Sequence, residues 1–504
     1  MQIGLRSKLF IVRIKLVYCV NTIRYYGLIW YSYYHSVFLC YHFVPGCNLQ
    51  GITIGPFQLQ WYTTSFNRMI LKMSFWNPKF QTLWFTFGSW VTICLIVPSI
   101  CLVIVSCLQI CRRMYSESLT VKSQTIFLEP IVPGINLPMS DFGYYVIALM
   151  STTIFHELGH ALAAIREDMH VEGVGMILVL ILPVAYVHLE DITLLPSSKQ
   201  LRVMSAGVWH NVFQGLMAYI ILILLPVMMI PFYSIGSGVI VTNVDQRSGV
   251  YGKGGLLEND VITQLGDCKV NDYETWSKCL QYSLGKTQSG FCLSSEFVQE
   301  HDLTKHVEHN TDGTLLCCDS NTLSDLCFEY VESSSNSQEL PHYSCLNVRK
   351  VIENSLSYCD YTNHCSSAHC YRPSLNNLTK LIVIVRQLGN EVLFLGQPTD
   401  LLYVSVTEYV PKTDYLSSRL PQSLEKLCKY LLMFAGGLAV INVIPCFYFD
   451  GEKISKVLVN TLLRDHIEHS SVRLAISLCF TFVGSLILLI YLLLGFWSLL
   501  GIIK

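Results

Sequence analysis

Two histidines and a glutamate lie close together in "FHELGHALAA", residues 155–164, inside an otherwise apolar stretch. His156 and His160 are four residues apart, so on a helix both imidazoles lie on one face and can bind a single zinc ion. Glu157 follows the first histidine, where its carboxylate can take a proton from zinc-bound water, whose pKa the metal lowers to about 7. The spacing predicts a hydrolytic site with one Zn²⁺ per chain. A structural histidine pair satisfied by neighbouring helices is the alternative.

A catalytic zinc ion needs a third protein ligand and one position left open for water. The candidate is Asp450 in "NVIPCFYFDGEK", residues 442–453, which follows an apolar run. Pro445 interrupts the helix there, so the carboxylate could lie at the depth of the histidines. Taken alone, Asp450-Gly451 is also typical of a plain turn after a helix. Asn442 either orients a substrate backbone or caps groups that the proline frees.

Long runs without charge indicate that the chain crosses a membrane several times. Of its 504 residues, 52% are hydrophobic and 14% are charged, which is too apolar for an ordinary soluble enzyme of this length. The net charge of −2 gives no basic field for nucleic acid, so we expect no direct nucleic acid binding. Runs long enough to span a bilayer cover residues 81–111, 142–165, 203–244, 430–449 and 474–503.

Two further apolar segments differ from these spans. Residues 171–187 are short for a crossing, which favours a re-entrant or interfacial piece. Residues 1–50 are aromatic and apolar but contain Arg and Lys, and they lack a small-residue cleavage site, which favours an uncleaved anchor. The fold class expected is a polytopic α-helical membrane protein with about six spans.

A polar region between residues 245 and 424 predicts a folded aqueous domain. Its clustered cysteines, even in number, favour disulfides in an oxidising lumen; structural zinc is the alternative, although paired CxxC spacing is missing. Asn377-Leu378-Thr379 matches a glycosylation acceptor, which agrees with a luminal position. The region holds ten of the twenty cysteines: Cys268, Cys279, Cys292, Cys317, Cys318, Cys327, Cys345, Cys359, Cys365 and Cys370.

Strand and turn signals at residues 238–244 and 255–276 follow each other in the order found in the middle of a PDZ domain. We therefore expect a luminal PDZ-like, β-rich domain at 236–424 with a cysteine-rich insertion at about 268–370; another small β-rich module is the alternative. Around it we expect an anchor at 1–50, a span region at 51–113, a catalytic membrane core at 130–235 and a C-terminal membrane core at 425–504.

Taken together, three motifs resemble the site-2 protease family of intramembrane zinc metalloproteases. They are "HELGH" at 156–160, "GVWHN" at 207–211, and Asn442-Val-Ile-Pro445 followed by Asp450-Gly451, which match the HExxH, GxxxN and NxxPxxxxDG signatures in order. "VPGINLP" and "AAIRE" around the first motif are also similar. The likeness starts near residue 51 and leaves 1–50 outside it. The chain lacks the serine-rich tract that some animal members carry before "VPGINLP".

The resemblance implies roles for individual residues. His156, His160 and Asp450 would bind zinc, and Glu157 would be the general base. Asn211 and Asn442 would be substrate-positioning residues. The family pattern does not require His210, which we expect to bond to a neighbouring helix, and we expect Gly207 to permit close approach of helices.

The resemblance also implies substrates and a location. Family members cut membrane-anchored transcription factor precursors within their transmembrane segment, after a first cut on the luminal side. Sterol regulatory element-binding proteins and endoplasmic reticulum stress sensors are the animal examples, which implies a Golgi or endoplasmic reticulum membrane. Two alternatives remain: a membrane metalloprotease acting on prenylated peptides, and a non-catalytic membrane scaffold or receptor with a luminal binding module.

Overall fold

The computed structural model describes residues 51–55, 58–115, 137–179, 182–245, 249–251, 255–309, 315–318, 324–331, 342–359, 365, 368–376, 378–387, 389 and 391–499. The expected anchor at 1–50 and the expected glycosylation site at Asn377 lie outside these residues. The chain divides into two compact units, whose described residues lie within 51–223 with 425–499, and within 224–424.

Five helices in the described residues are long and apolar enough to cross a membrane. They confirm a multi-pass membrane protein, and each contains or overlaps one of the runs predicted from the sequence. The helices of the first unit are α1 (Asn67–Ser74), α2 (Pro78–Tyr115), α3 (Phe142–Arg166), α4 (Ser197–Met229, which continues into the second unit), α8 (Leu420–Val443), α9 (Asp450–Leu462) and α10 (Ser470–Leu499). All but α1 and α9 are the candidate spans.

The first unit also contains a four-stranded antiparallel sheet in the order β1-β2-β3-β4. Its strands are β1 (Ile52–Gly55), β2 (Gln58–Thr63), β3 (Val171–Val179) and β4 (Leu182–Leu189). The apolar run 171–187 is therefore a β-hairpin, with Met176 opposite Ala185. Gly175 is needed in this hairpin, because a Cβ there would lie 2.3 Å from the Trp61 carbonyl oxygen.

The second unit is built on a sheet in the order β17-β16-β7-β6-β18, with β8 paired to β7. Helix α5 (Tyr273–Gly285) packs against its buried face through Trp276 and Leu280, and Asp272 begins the helix with a capping box to Thr275. The strands are β6 (Val239–Val244), β7 (Val261–Leu265), β8 (Cys268–Lys269), β16 (Lys380–Arg386), β17 (Glu391–Gly396) and β18 (Val404–Thr407).

The cysteine-rich part of this unit forms a second sheet, in the order β13-β12-β15-β9-β14, with an apolar core around Phe291, Phe328 and Tyr371 that also includes Leu381 and Val383 of β16. Short helices α6 (Ser295–His301) and α7 (Val348–Glu353) accompany it. Its strands are β9 (Gly290–Leu293), β12 (Asp325–Tyr330), β13 (Tyr343–Asn347), β14 (Tyr358–Cys359) and β15 (His369–Pro373). Two small pairs complete the unit: β10 (Glu308–His309) with β11 (Leu315–Leu316), and β5 (Tyr233–Ser234) with β19 (Val410–Pro411).

All ten cysteines of the predicted cluster are joined in disulfides, which confirms the disulfide prediction over structural zinc. Two pairs of cysteines face each other across neighbouring strands without being bonded to each other: Cys327 lies opposite Cys345, and Cys370 lies opposite Cys292. The pairs are Cys268–Cys279, Cys292–Cys365, Cys317–Cys327, Cys318–Cys345 and Cys359–Cys370.

Candidate metal centre

The histidines of "HELGH" lie on one face of α3, as the four-residue spacing requires. His156 and His160 are 7% and 8% exposed, and their Nε2 atoms are 3.2 Å apart. Imidazole nitrogens at this distance either share a proton in an N–H···N hydrogen bond or face a common cation. The pair is therefore arranged for a common partner.

Asp450, the first residue of α9, supplies the third group. Its Oδ2 lies 3.0 Å from Nε2 of His156 and 3.2 Å from Nε2 of His160. In a tetrahedral zinc site with bonds of about 2.0–2.1 Å, neighbouring ligand atoms are separated by about 3.3 Å. The three ligand atoms thus have a separation that fits one zinc ion, and among the described residues the two buried histidines and the half-buried Asp450 form a group that could hold a metal.

Gly207 on α4 keeps the space at these ligand atoms clear. A Cβ at this position would lie 2.3 Å from Nε2 of His160 and 2.6 Å from Nε2 of His156. Any side chain would therefore stand against the nitrogen atoms that face the metal position. The sequence predicted only close helix contact at Gly207, and the structure gives the more specific reason that this glycine borders the metal site.

The turn between α8 and α9 brings Asp450 to the histidines. Helix α8 ends at Val443, and Pro445 prevents its continuation. Gly451 is required because a Cβ there would lie 2.1 Å from the Ile444 carbonyl oxygen. Gly484 on α10 has the same role, because its Cβ would lie 2.0 Å from the Pro445 carbonyl oxygen. Sequence reasoning missed Gly484, since a lone glycine in an apolar helix gave no signal of this contact.

Contacts from α4 hold the other nitrogen of each histidine ring. Nδ1 of His160 is 2.8 Å from the carbonyl oxygen of Val203, and Nδ1 of His156 is 3.0 Å from the side-chain amide nitrogen of Asn211. Metal-binding histidines usually make such a second bond, which fixes the ring and its tautomer. The histidines are therefore positioned on both sides, by the ligand cluster and by α4.

Glu157 is half-buried beside the two ligands on α3. Val187 on β4 packs in the same apolar cluster as Leu158, the residue that follows Glu157. The hairpin, which the sequence predicted to be a re-entrant or interfacial piece, thus borders the segment that carries the candidate base.

Two further residues of the motifs do not join the cluster. Asn442 is 9% exposed on α8, and among the described residues no hydrogen bond joins it to the three ligands. His210 is buried against Phe85 and Phe155, with its Nδ1 atom 2.9 Å from the Ala206 carbonyl oxygen. Its surroundings are aromatic and its bond is to its own helix, so it is not part of the ligand set.

A charged network at the ends of two candidate spans joins Glu167, which follows α3, to the first residues of α4. Glu167, which is 5% exposed, accepts hydrogen bonds from Nε and Nη2 of Arg202 at 2.6 and 3.0 Å, and Lys199 lies 3.4 Å away. Burial raises the pKa of the Glu167 carboxyl, but the hydrogen bonds and charges of Arg202 and Lys199 outweigh it and lower the pKa. Since Val203 follows Arg202, this network also fixes the carbonyl that bonds to His160.

A comparison with protein-family models matches residues 144–486 to peptidase family M50. The matched segment contains all three ligands and the candidate base. The chain belongs to peptidase family M50, a family of zinc metalloproteases, and it is a metalloendopeptidase.

Within that family, the chain is similar to the membrane-bound transcription factor site-2 protease homolog of Arabidopsis thaliana. The two are 26% identical over 371 residues, which covers 64% of this chain and 71% of the relative. The resemblance to site-2 proteases inferred from the three motifs is therefore confirmed.

Proposed function

We propose that this metalloendopeptidase uses zinc to cut membrane-anchored proteins within their transmembrane segment. The observation that carries the proposal is the convergence of His156, His160 and Asp450 among helices that are long enough to cross a bilayer. Ionisable side chains inside a membrane cost free energy unless they are paired or have a function. Binding a metal ion would be such a function, and the geometry of this cluster suits it.

The chain's own residues would carry out the proton transfers of hydrolysis. Zinc bound by the three ligands would lower the pKa of a water molecule and polarise the carbonyl that is attacked. Glu157 accepts the proton of the attacking water and returns it to the nitrogen of the leaving amine, so no net proton is consumed. Asn442, on the helix that precedes Asp450, is proposed to position the substrate backbone.

The substrate must unwind before it can be cut. In a helix each carbonyl is occupied by an internal hydrogen bond, so the scissile carbonyl becomes accessible only where the helix opens. Substrates with helix-weakening residues near the cut are therefore favoured. We propose that they are membrane-anchored transcription factor precursors of the sterol regulatory element-binding and endoplasmic reticulum stress-sensor types, in a Golgi or endoplasmic reticulum membrane. The similarity to a membrane-bound transcription factor site-2 protease homolog of Arabidopsis supports membrane-anchored transcription factors as the substrate class.

The second unit is proposed to be a luminal PDZ-like domain that excludes substrates whose bulky ectodomain is still intact. The strand–helix order β6, β7, β8, α5 before the second, cysteine-rich sheet supports the PDZ-like assignment. Five disulfides support the luminal side, because such bonds persist in oxidising compartments. A first luminal cut by another protease would remove the obstacle.

Metal analysis and a cleavage assay on the purified full-length protein test the proposal together. We expect one zinc ion per chain, and cleavage within the transmembrane segment of a substrate whose luminal part has been shortened. A protein without stoichiometric zinc would instead support the scaffold alternative. Cleavage only of prenylated peptides would support the other protease class.

A further inference from the structure

We infer that Asn211 is a positioning residue for the ligand His156, and that its side-chain oxygen accepts the Nδ1 proton of this histidine when Nε2 faces a metal. The inference rests on the proposed zinc function. It assigns Asn211 a role that acts through the metal ligand, instead of the direct substrate contact expected from the motif.

The contact is buried and leaves one polar atom unused. Asn211 is 0% exposed, and its Nδ2 atom is 3.0 Å from Nδ1 of His156. Its Oδ1 atom is buried and has no hydrogen-bond partner among the described residues. A half turn about the Cβ–Cγ bond exchanges these two atoms while the shape of the side chain stays the same. The oxygen can therefore take the place that faces His156.

The chemistry of the ligand decides which atom must face the ring. A neutral imidazole that binds a metal through Nε2 carries its proton on Nδ1, and that proton needs an acceptor in a buried site. The amide oxygen is the acceptor that Asn211 offers. The amide nitrogen, which only donates, cannot bond to a protonated Nδ1.

His160 shows the same arrangement with a backbone group. Its Nδ1 atom lies 2.8 Å from the carbonyl oxygen of Val203, which can only accept, so the proton is on Nδ1 and Nε2 is free to bind. Both ligand histidines are thus held from α4, one by a main-chain carbonyl and one by Asn211. Only the second contact can be removed by a side-chain substitution, which makes the role of Asn211 testable.

Two substitutions at Asn211 separate an acceptor from mere packing. Asn211→Asp keeps an oxygen acceptor, whereas Asn211→Leu keeps a similar volume without any hydrogen bond. The matched control is Gln214→Leu, because Gln214 lies on the same helix, donates to Ser151 on α3 at 3.1 Å, and also has a buried oxygen without a partner. The measured quantity is the apparent zinc dissociation constant of the purified full-length protein, determined by competition with a chelator.

We expect Asn211→Leu to weaken zinc binding about 10- to 100-fold, and Asn211→Asp and Gln214→Leu to stay within a few-fold of the unchanged protein. Cleavage by Asn211→Leu should recover when free zinc is raised. Unchanged zinc affinity of Asn211→Leu, with cleavage lost at every zinc concentration, would overturn the inference in favour of a substrate contact. Equal losses of affinity in Leu and Asp variants would overturn it in favour of packing. If the unchanged protein itself binds no zinc, the proposed function has failed. That outcome differs from the two results that would overturn only the role of Asn211.

Discussion

Oδ2 of Asp450 lies 3.2 Å from Nε2 of His160, although 290 residues separate them in the chain. The whole second unit, Leu224–Leu424, is inserted between the two ligands in sequence. The metal site therefore forms only when α3 and α9 are folded together, and the turn after α8 determines where the carboxylate lies. This dependence makes zinc binding a direct measure of correct folding in the first unit.

Asp450→Ala should abolish stoichiometric zinc binding and cleavage, because two imidazoles alone leave the site without its only anionic ligand. The measurement is the zinc content of purified protein, together with cleavage of a shortened membrane-anchored substrate. Glu452→Ala, two residues further along α9, is the control and should bind zinc. Full zinc occupancy and cleavage by Asp450→Ala would mean that the ligand set is different, as in the prenyl-peptide alternative.

Gly207→Ala should lose zinc binding while the protein stays folded. Alanine normally stabilises a helix interior by about 1 kcal/mol relative to glycine, but here the added methyl group would lie 2.3 Å from Nε2 of His160. Gly215→Ala on the same helix is the matched control, since its nearest neighbour would be 3.7 Å away, at ordinary contact distance. Zinc titration and thermal unfolding of both variants check this. Normal zinc affinity of Gly207→Ala would show that the metal position lies elsewhere.

The spans and the shared face of His156 and His160 could be predicted because their signals are local or strongly patterned. Apolar length marks a membrane helix, and the four-residue spacing of His156 and His160 marks a shared face. Asp450 had no local signal of its own, since an Asp-Gly pair is also a plain turn. It became a candidate only when paired with the histidines, and the structure brings the three together.

Other features depend on contacts between distant segments, which a single sequence does not reveal. The run 171–187 has the hydrophobicity of a membrane segment, and its pairing with residues 58–63 decides that it is a strand pair. Gly484 matters only because Pro445 approaches it from another helix. The pairing of ten cysteines was open for the same reason, because sequence alone does not fix which sulfurs meet.

Arg202→Leu should destabilise the protein by about 3 kcal/mol near pH 7, because it leaves the buried Glu167 carboxylate with only the more distant Lys199. The pKa of Glu167 is lowered in the folded protein, so its ion pair contributes stability above the ordinary glutamate pKa and loses it as the pH falls through the folded value. The difference between the two proteins should therefore shrink below about pH 4.

Unfolding in detergent over a range of pH measures this difference. Lys199→Met is the control and should have a smaller effect, because Lys199 is 34% exposed and its nitrogen lies 3.4 Å from the carboxylate. A pH-independent difference between Arg202→Leu and the unchanged protein would show that Arg202 acts by packing and that its charge is immaterial.

Removing the Cys292–Cys365 bond should destabilise the second unit more than removing the Cys268–Cys279 bond. The first closes a separation of 73 residues and the second a separation of 11. From loop-closure entropy, the first bond then contributes about 4 kcal/mol to the free energy of unfolding and the second about 3 kcal/mol. Paired Cys→Ser variants, compared by limited proteolysis in denaturant, test the order. Non-reducing peptide mapping that finds free thiols at these positions would contradict the disulfide assignment.

Glu157 is proposed as the general base of an intramembrane zinc protease. A cleavage assay on a shortened membrane-anchored substrate, with zinc content measured on the same samples, compares the unchanged protein with Glu157→Gln. We expect equal zinc content in both proteins, cleavage within the transmembrane segment by the unchanged protein, and none by Glu157→Gln. A cleaved product formed by purified Glu157→Gln at a comparable rate would contradict the proposal.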